Sequence, residues 1–176
     1  MKSFKKSGFT IVELLIVIVV IGILAAITIV AYNGIQQRGR DTQRKSDVAA
    51  ITKALKLYDV DFGPMYSNSG CGANGNGSGF FNLEDGNNPG YPKSMNKCLK
   101  EKGYIVKDLI DPSGLVSCGG VSCRTYMKYT CVQSGSTNTY VYANLEALPA
   151  ATNEADGSCY DAADTERGMN YIVKVN

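Results

Sequence analysis

From Leu14 to Tyr32 the chain carries no charged residue. These 19 positions are mostly Ile, Val, Leu and Ala. At a rise of ~1.5 Å per residue they span about 28 Å, close to the ~30 Å hydrocarbon core of a bilayer. A membrane-spanning helix is therefore predicted, because in lipid every backbone group must bond internally. After Gly34 the pattern changes without a breaker: Arg38, Arg40, Asp41, Arg44, Lys45 and Asp47 form a polar stretch of mixed charge. Val48, Ile51, Leu55, Tyr58 and Phe62 then recur at spacings of three and four, the signature of an amphipathic helix with one apolar face. Gly63-Pro64 ends it. One helix is expected from about Thr10 to about Asp61, with Gly34 and Gly39 as soft points. The stretch from Arg38 to Lys45 reads as a solvated helix face. Its alternative is contact with anionic headgroups, which attract nearby basic residues by ~1 kcal/mol each.

Beyond the helix the pattern shortens. Ser67 to Pro92 is dense in Gly, Asn and Ser, with Phe80, Phe81 and Tyr91 embedded, and reads as a long surface loop pinned by Cys71. Ser94 to Lys102 predicts a short helix, capped by Ser94 and stopped by Gly103. Asp111-Pro112-Ser113-Gly114 is a turn. Arg124 to Val132 and Thr139 to Asn144 are rich in Tyr, Thr and Val, and Gln133 to Asn138 between them is turn material, so a hairpin is predicted. Tyr171 to Val175 makes a final strand. The fold class is α+β: a long N-terminal helix, half transmembrane and half amphipathic, packed on a small antiparallel sheet. The domain layout expected is 1–8, 9–33 for the membrane helix, 34–63 for its amphipathic continuation, and 64–176 for a globular headpiece.

Charge and composition narrow the function. Of 18 basic residues, Lys2, Lys5 and Lys6 precede Gly8, which leaves 15 basic against 16 acidic residues in the remainder. That balance gives no electrostatic footprint for nucleic acid, so nucleic-acid contact stays possible but unsupported. The lysines before the apolar run predict a cytoplasmic N-terminus and a headpiece outside. The chain has no histidine, which removes the commonest general acid or base and any ordinary serine triad. There is no P-loop or dinucleotide fingerprint. No catalytic residue and no cofactor are expected.

The six cysteines, Cys71, Cys98, Cys118, Cys123, Cys131 and Cys159, all follow the membrane segment. An even count in a domain outside the cytoplasm reads as disulfides, with free thiols or a metal site as alternatives. Six cysteines allow 15 pairings. Cys118 and Cys123 could also form a redox pair, but lack the thioredoxin-like spacing. No metal is expected. Glu154, Asp156, Asp161, Asp164 and Glu166 crowd the C-terminal part, and Asp156, Asp161 and Asp164 are the residues to hold calcium if any do. Their spacing does not match an EF-hand loop.

Glu13 stands alone at the edge of the apolar run, and an intramembrane acid is a functional candidate. A plain membrane anchor with a snorkelling acid is the simpler alternative. The surrounding residues bear on that choice. Lysines, then Gly8, then Phe9-Thr10-Ile11-Val12-Glu13-Leu14-Leu15, then Ile21-Gly22-Ile23-Leu24-Ala25-Ala26-Ile27 and Ala31-Tyr32 together resemble the N-terminus of a type IV prepilin or pseudopilin. The resemblance covers Lys5 to Tyr32. It implies a leader, 1–8, cut by a prepilin peptidase between Gly8 and Phe9, with methylation of the new Phe9 amine. It further implies that Glu13 pairs with the Phe9 amine of a neighbouring subunit, and that the headpiece is a pilin-like α+β domain. Gly22, Ala25 and Ala26 suit close helix packing. Many family members carry a proline where this chain has Val30, so the local helix distortion linked to it is not implied here. Some secretion pseudopilins bind calcium in C-terminal loops.

The implied function is a structural subunit of a type IV pilus-like filament for adhesion, twitching motility or DNA uptake. The alternative is a pseudopilin of a type II secretion or competence machine. Implied partners are other copies of itself, other pilins, the prepilin peptidase, an inner-membrane assembly platform with its ATPase, and lipid before assembly. The expected location is a single-pass membrane precursor, then an extracellular pilus or an envelope-spanning fibre.

Overall fold

A computed structural model gives the architecture and describes residues 8–65, 69–75, 77–84, 92–120, 123–133, 135–149 and 167–176. The chain divides into two compact units at Arg38/Gly39. Helix α1 is Ile11–Phe62, and Gly63 closes it with a positive φ of 77° and a bond from its N–H to the Asp59 carbonyl, 2.9 Å. The helical assignment runs unbroken through Val30, Gly34 and Gly39. The expected soft points are therefore helical: a lone glycine in a helix costs only ~1 kcal/mol against alanine, and no proline removes a backbone donor.

In the first unit the apolar side chains point outward all round the helix. From Ile11 to Ile29 the exposures lie between 48% at Val20 and 86% at Ile11. A helix apolar on every side needs lipid or other chains to cover it.

The second unit is an α+β domain. It holds the C-terminal half of α1, then β1 (Gly79–Phe80), α2 (Met95–Glu101), β2 (Met127–Gln133), β3 (Ser136–Ala143) and β4 (Tyr171–Lys174). The strands form one antiparallel sheet in the order β1-β2-β3-β4. Val48, Ile51, Ala54 and Leu55 of α1 pack with Phe81, Met95, Leu99, Tyr126 and Val141. The strand alternation sends Tyr142 into a second cluster with Phe80, Met127, Cys123 and Met169. The predicted apolar face of α1 is buried except at its end: Tyr58 is half-buried, and Phe62 is 55% exposed, with the Lys102 ammonium 4.6 Å from its ring centre.

The short helix forms as its cap predicts, with the Ser94 hydroxyl accepting from the Lys97 N–H at 3.2 Å. Two expectations are corrected. The hairpin turn is tighter than 133–138, because β3 begins at Ser136, which pairs with Gln133, and Thr137 and Asn138 pair with Val132 and Cys131. The stretch 67–92 is not all surface loop. Gly79 and Phe80 form β1, Phe81 is fully buried, and apolar burial overrides the Gly- and Asn-rich context. Residues 66–68, 76 and 85–91 of that region lie outside the described residues.

Gly72 and Gly77 hold this region by close approach. Gly77 has φ +64°, and a Cβ there would sit 2.3 Å from the Met65 carbonyl oxygen. The Lys128 ammonium, fully buried on β2, donates to the Met65 and Gly77 carbonyls, the latter at 2.6 Å.

Candidate functional site

The candidate assembly segment begins at Gly8, around which a Cβ would meet nothing within 4 Å. Phe9 is 90% exposed. Thr10 then starts the helix as half of a capping box. Its backbone N–H and hydroxyl both donate to Glu13 Oε2, at 2.7 and 2.8 Å, and its hydroxyl accepts from the Glu13 N–H at 3.2 Å. The sequence carries this signal, Thr-x-x-Glu before an apolar run, and treating Glu13 as a lone acid misses it. The arrangement places a carboxylate at a helix N-terminus, where orphan N–H groups and the helix dipole favour it. Lys2, Lys5 and Lys6 lie outside the described residues.

Three other surfaces bear on the expected sites. Arg40, Asp41 and Arg44 on α1 are not a solvated face, nor do they reach for headgroups. Arg44 has no exposed surface. Its guanidinium donates to both oxygens of Asp111 at 2.7 and 3.1 Å, to Glu146 at 2.8 Å and to Asp41 at 2.9 Å. Arg40 holds Glu146 by a second fork, at 2.7 and 2.5 Å. Asp41 accepts the backbone N–H groups of Glu146 and Ala147 at 2.8 and 2.9 Å. This cluster ties α1 to the 111–114 turn and to the segment after β3. Hydrogen bonds from Arg40 and then Arg44 hold the Glu146 carboxyl down at about 2. Burial alone would lower Arg44, but its bonds to Asp111 and Glu146 outweigh it and raise it. Burial pushes Lys128 down to about 7, opposed by Asp59.

The cysteines form bridges Cys71–Cys98 and Cys118–Cys123, Cys131 is also disulfide-bonded, and no described cysteine is free. Cys159 and the calcium candidates Asp156, Asp161 and Asp164, with Glu154 and Glu166, lie outside the described residues. Among the described residues no group of three or more His, Cys, Asp or Glu side chains is arranged to hold a metal ion. The Tyr-rich strand region turns much of its aromatic surface inward: Tyr126 and Tyr142 are fully buried, and Tyr129 and Tyr140 partly so. The Tyr126 hydroxyl is spent on Asp47, 2.8 Å away.

Residues 3–29 match the prokaryotic N-terminal methylation motif. The chain is 32% identical over 115 residues to type II secretion system core protein G of Pseudomonas aeruginosa, a match covering 65% of this chain and 72% of the relative. It is 34% identical over 61 residues to the core protein G of Aeromonas hydrophila, covering 35% of this chain and 43% of that one. It is 39% identical over 54 residues to the type IV major pilin protein PilA of Myxococcus xanthus, covering 31% of this chain and 24% of that protein. No solved structure matches it.

Proposed function

The chain belongs to the type IV pilin and pseudopilin family, and from that premise we propose that it is processed between Gly8 and Phe9, methylated on Phe9, and polymerised through α1. Its role is structural, not enzymatic. The observation that carries the reading is the all-round exposure of apolar side chains from Ile11 to Ile29, capped by a carboxylate. In the precursor, lipid covers that helix, with the lysines on the cytoplasmic side and the headpiece outside. In a filament, other copies cover it.

The chemistry of Glu13 follows from the same surroundings. Cleavage after Gly8 creates an amine at Phe9, one residue before the capping Thr10. In an apolar bundle an unpaired charge costs several kcal/mol, so a neighbour's Phe9 amine and Glu13 neutralise each other and favour one axial register. The Thr10 bonds hold the carboxylate ready until that exchange. Before cleavage the amine is absent and the leader lysines oppose burial. Glu13→Ala and Glu13→Val are expected to be cleaved and methylated normally but to yield few filaments. Normal filaments from either variant contradict the role.

The N-terminal segment reads the same for a surface pilus, the first expectation, and for a secretion pseudopilus, its alternative. The length of the matches favours the second reading. The likeness to core protein G of Pseudomonas aeruginosa runs over 115 residues, whereas that to the pilin covers 54. An assembly platform, an ATPase and the prepilin peptidase are the partners either machine requires.

A further inference from the structure

Part of α1 in the headpiece keeps apolar side chains in the open. Leu57 is 46% and Val60 83% exposed, and Val106, on the neighbouring 104–109 segment, is 95% exposed. Between α1 and that segment lies a groove of about 340 Å³. Ala50, Ala54, Leu57 and Val106 give it apolar walls, and Lys53 and Lys107 line it as well. Both lysines are exposed. Lys93, Lys97 and Lys100 have carboxylate partners, but Lys53 and Lys107 have no ion pair among the described residues.

The end of the same helix carries the complement of this groove. Val60 is followed by Asp61, an exposed acid whose carboxylate accepts the Tyr104 hydroxyl. That donor is neutral, and no cation pairs with Asp61 among the described residues. Asp59 differs, because it is half-buried, accepts from Asn176 and feels the Lys128 ammonium.

We infer that the groove beside Lys53 receives the Val60–Asp61 end of α1 from a second copy of this chain. The inference rests on the filament reading, in which all copies run the same way. Sliding a parallel copy along the helix by about 12 Å, eight residues of rise, brings its Asp61 level with Lys53. Its Val60 then comes level with Thr52, between Ala50 and Ala54 of the groove wall. The valine covers apolar surface, and the carboxylate meets the two lysines and sets register and direction. The groove and the helix end are different patches of one chain, so the contact is heterologous and propagates along a fibre. An antiparallel pair would also match Lys53 to Asp61, but with two-fold symmetry, and would close at two copies. A single exposed ion pair contributes little, so reversing a charge has a larger effect than removing one.

The test is zero-length carbodiimide cross-linking of the polymeric fraction of native cells, which joins a lysine amine to a touching carboxylate. A ladder of covalent multimers is expected, with junction peptides that link Lys53 or Lys107 to Asp61. Lys53→Arg with Lys107→Arg keeps the charge, so polymer persists while those junctions vanish. Asp61→Lys is expected to lower polymer yield at least tenfold, and adding Lys53→Asp and Lys107→Asp to the same chain restores it. Tyr104→Phe removes only the hydroxyl that Asp61 accepts and leaves the yield unchanged. The N-methylated Phe9 peptide and intact disulfides check that each variant is processed and folded; where one is not, the junctions of the wild-type ladder decide.

Wild-type polymer whose ladder lacks both junctions overturns the inference. So does a ladder that carries them but stops at the dimer, the mark of an antiparallel pair. A normal yield from Asp61→Lys, a tenfold loss from Tyr104→Phe, or a folded compensated chain that still fails to polymerise overturns it too. In those cases Glu13→Ala still fails to assemble, and the filament reading stands. Absence of wild-type polymer overturns both.

Discussion

Arg44 occupies a polar stretch of α1 yet has no exposed surface, because Asp41, three residues before it, and Asp111 and Glu146, from distant parts of the chain, converge on it. Asp111 and Glu146 lie 67 and 102 residues away, so nothing local in the sequence distinguishes Arg44 from a solvated helix residue. The same cluster sets the acid response. Glu146 has a folded value near 2 against an ordinary 4.5, so the unfolded chain binds more protons between those values. Its stabilisation is complete above about pH 4.5 and is lost as pH falls toward 2. Lys128 acts at the other end. With a folded value near 7 against 10.5, it makes stability rise from about pH 7 to about 10.5, and the neutral amine still has two N–H groups for the Met65 and Gly77 carbonyls. Chemical denaturation of the full chain in detergent across pH should show both slopes, and Lys128→Met should abolish the upper one alone. Gly77→Ala tests the close approach to Met65. With a positive φ and a backbone oxygen 2.3 Å from the new Cβ, it should lower stability by about 1–3 kcal/mol. An unchanged denaturation midpoint refutes that packing.

At the scale of elements, α1 was legible because its apolar residues recur at helical spacing and Gly63-Pro64 stops it. So was α2, through Ser94 and Gly103. Strand β1 was not: two residues in a Gly- and Asn-rich stretch carry no periodicity, and only their burial against β2 defines them. Spacing places Phe62 on the apolar face, but it is the last helical residue, tilted against Tyr58 with ring centres 5.1 Å apart and open to solvent. The disulfides were legible as a set but not as pairs. Their positions now rank them. Cys71–Cys98 closes a separation of 27 residues and ties β1's approach to α2, whereas Cys118–Cys123 closes 5. Loop-closure entropy assigns about 3.5 kcal/mol to the first and about 2 kcal/mol to the second. Cys71→Ala with Cys98→Ala should therefore lower the melting temperature more than Cys118→Ala with Cys123→Ala. The reverse order contradicts this assignment.

For the whole molecule, the division of labour is between an N-terminal helical half that its own chain leaves uncovered and a headpiece held together by two apolar clusters, a buried ion cluster and disulfides. The first has no stable surroundings in water alone; on the proposed function the protein passes from lipid to a polymer, with processing at Gly8/Phe9 as the step that licenses the passage. The sequence around Gly8 made that segment readable, because its chemistry is local. The most direct measurement is mass spectrometry of the N-terminal peptide of the chain, taken from the sheared surface fraction and from the cell envelope of native cells. The account predicts a peptide that begins at N-methylated Phe9 in a polymeric fraction; abundance in the sheared material marks a surface pilus, and confinement to the envelope marks a pseudopilus. An intact Met1 chain found only in the membrane, in every fraction, contradicts the account.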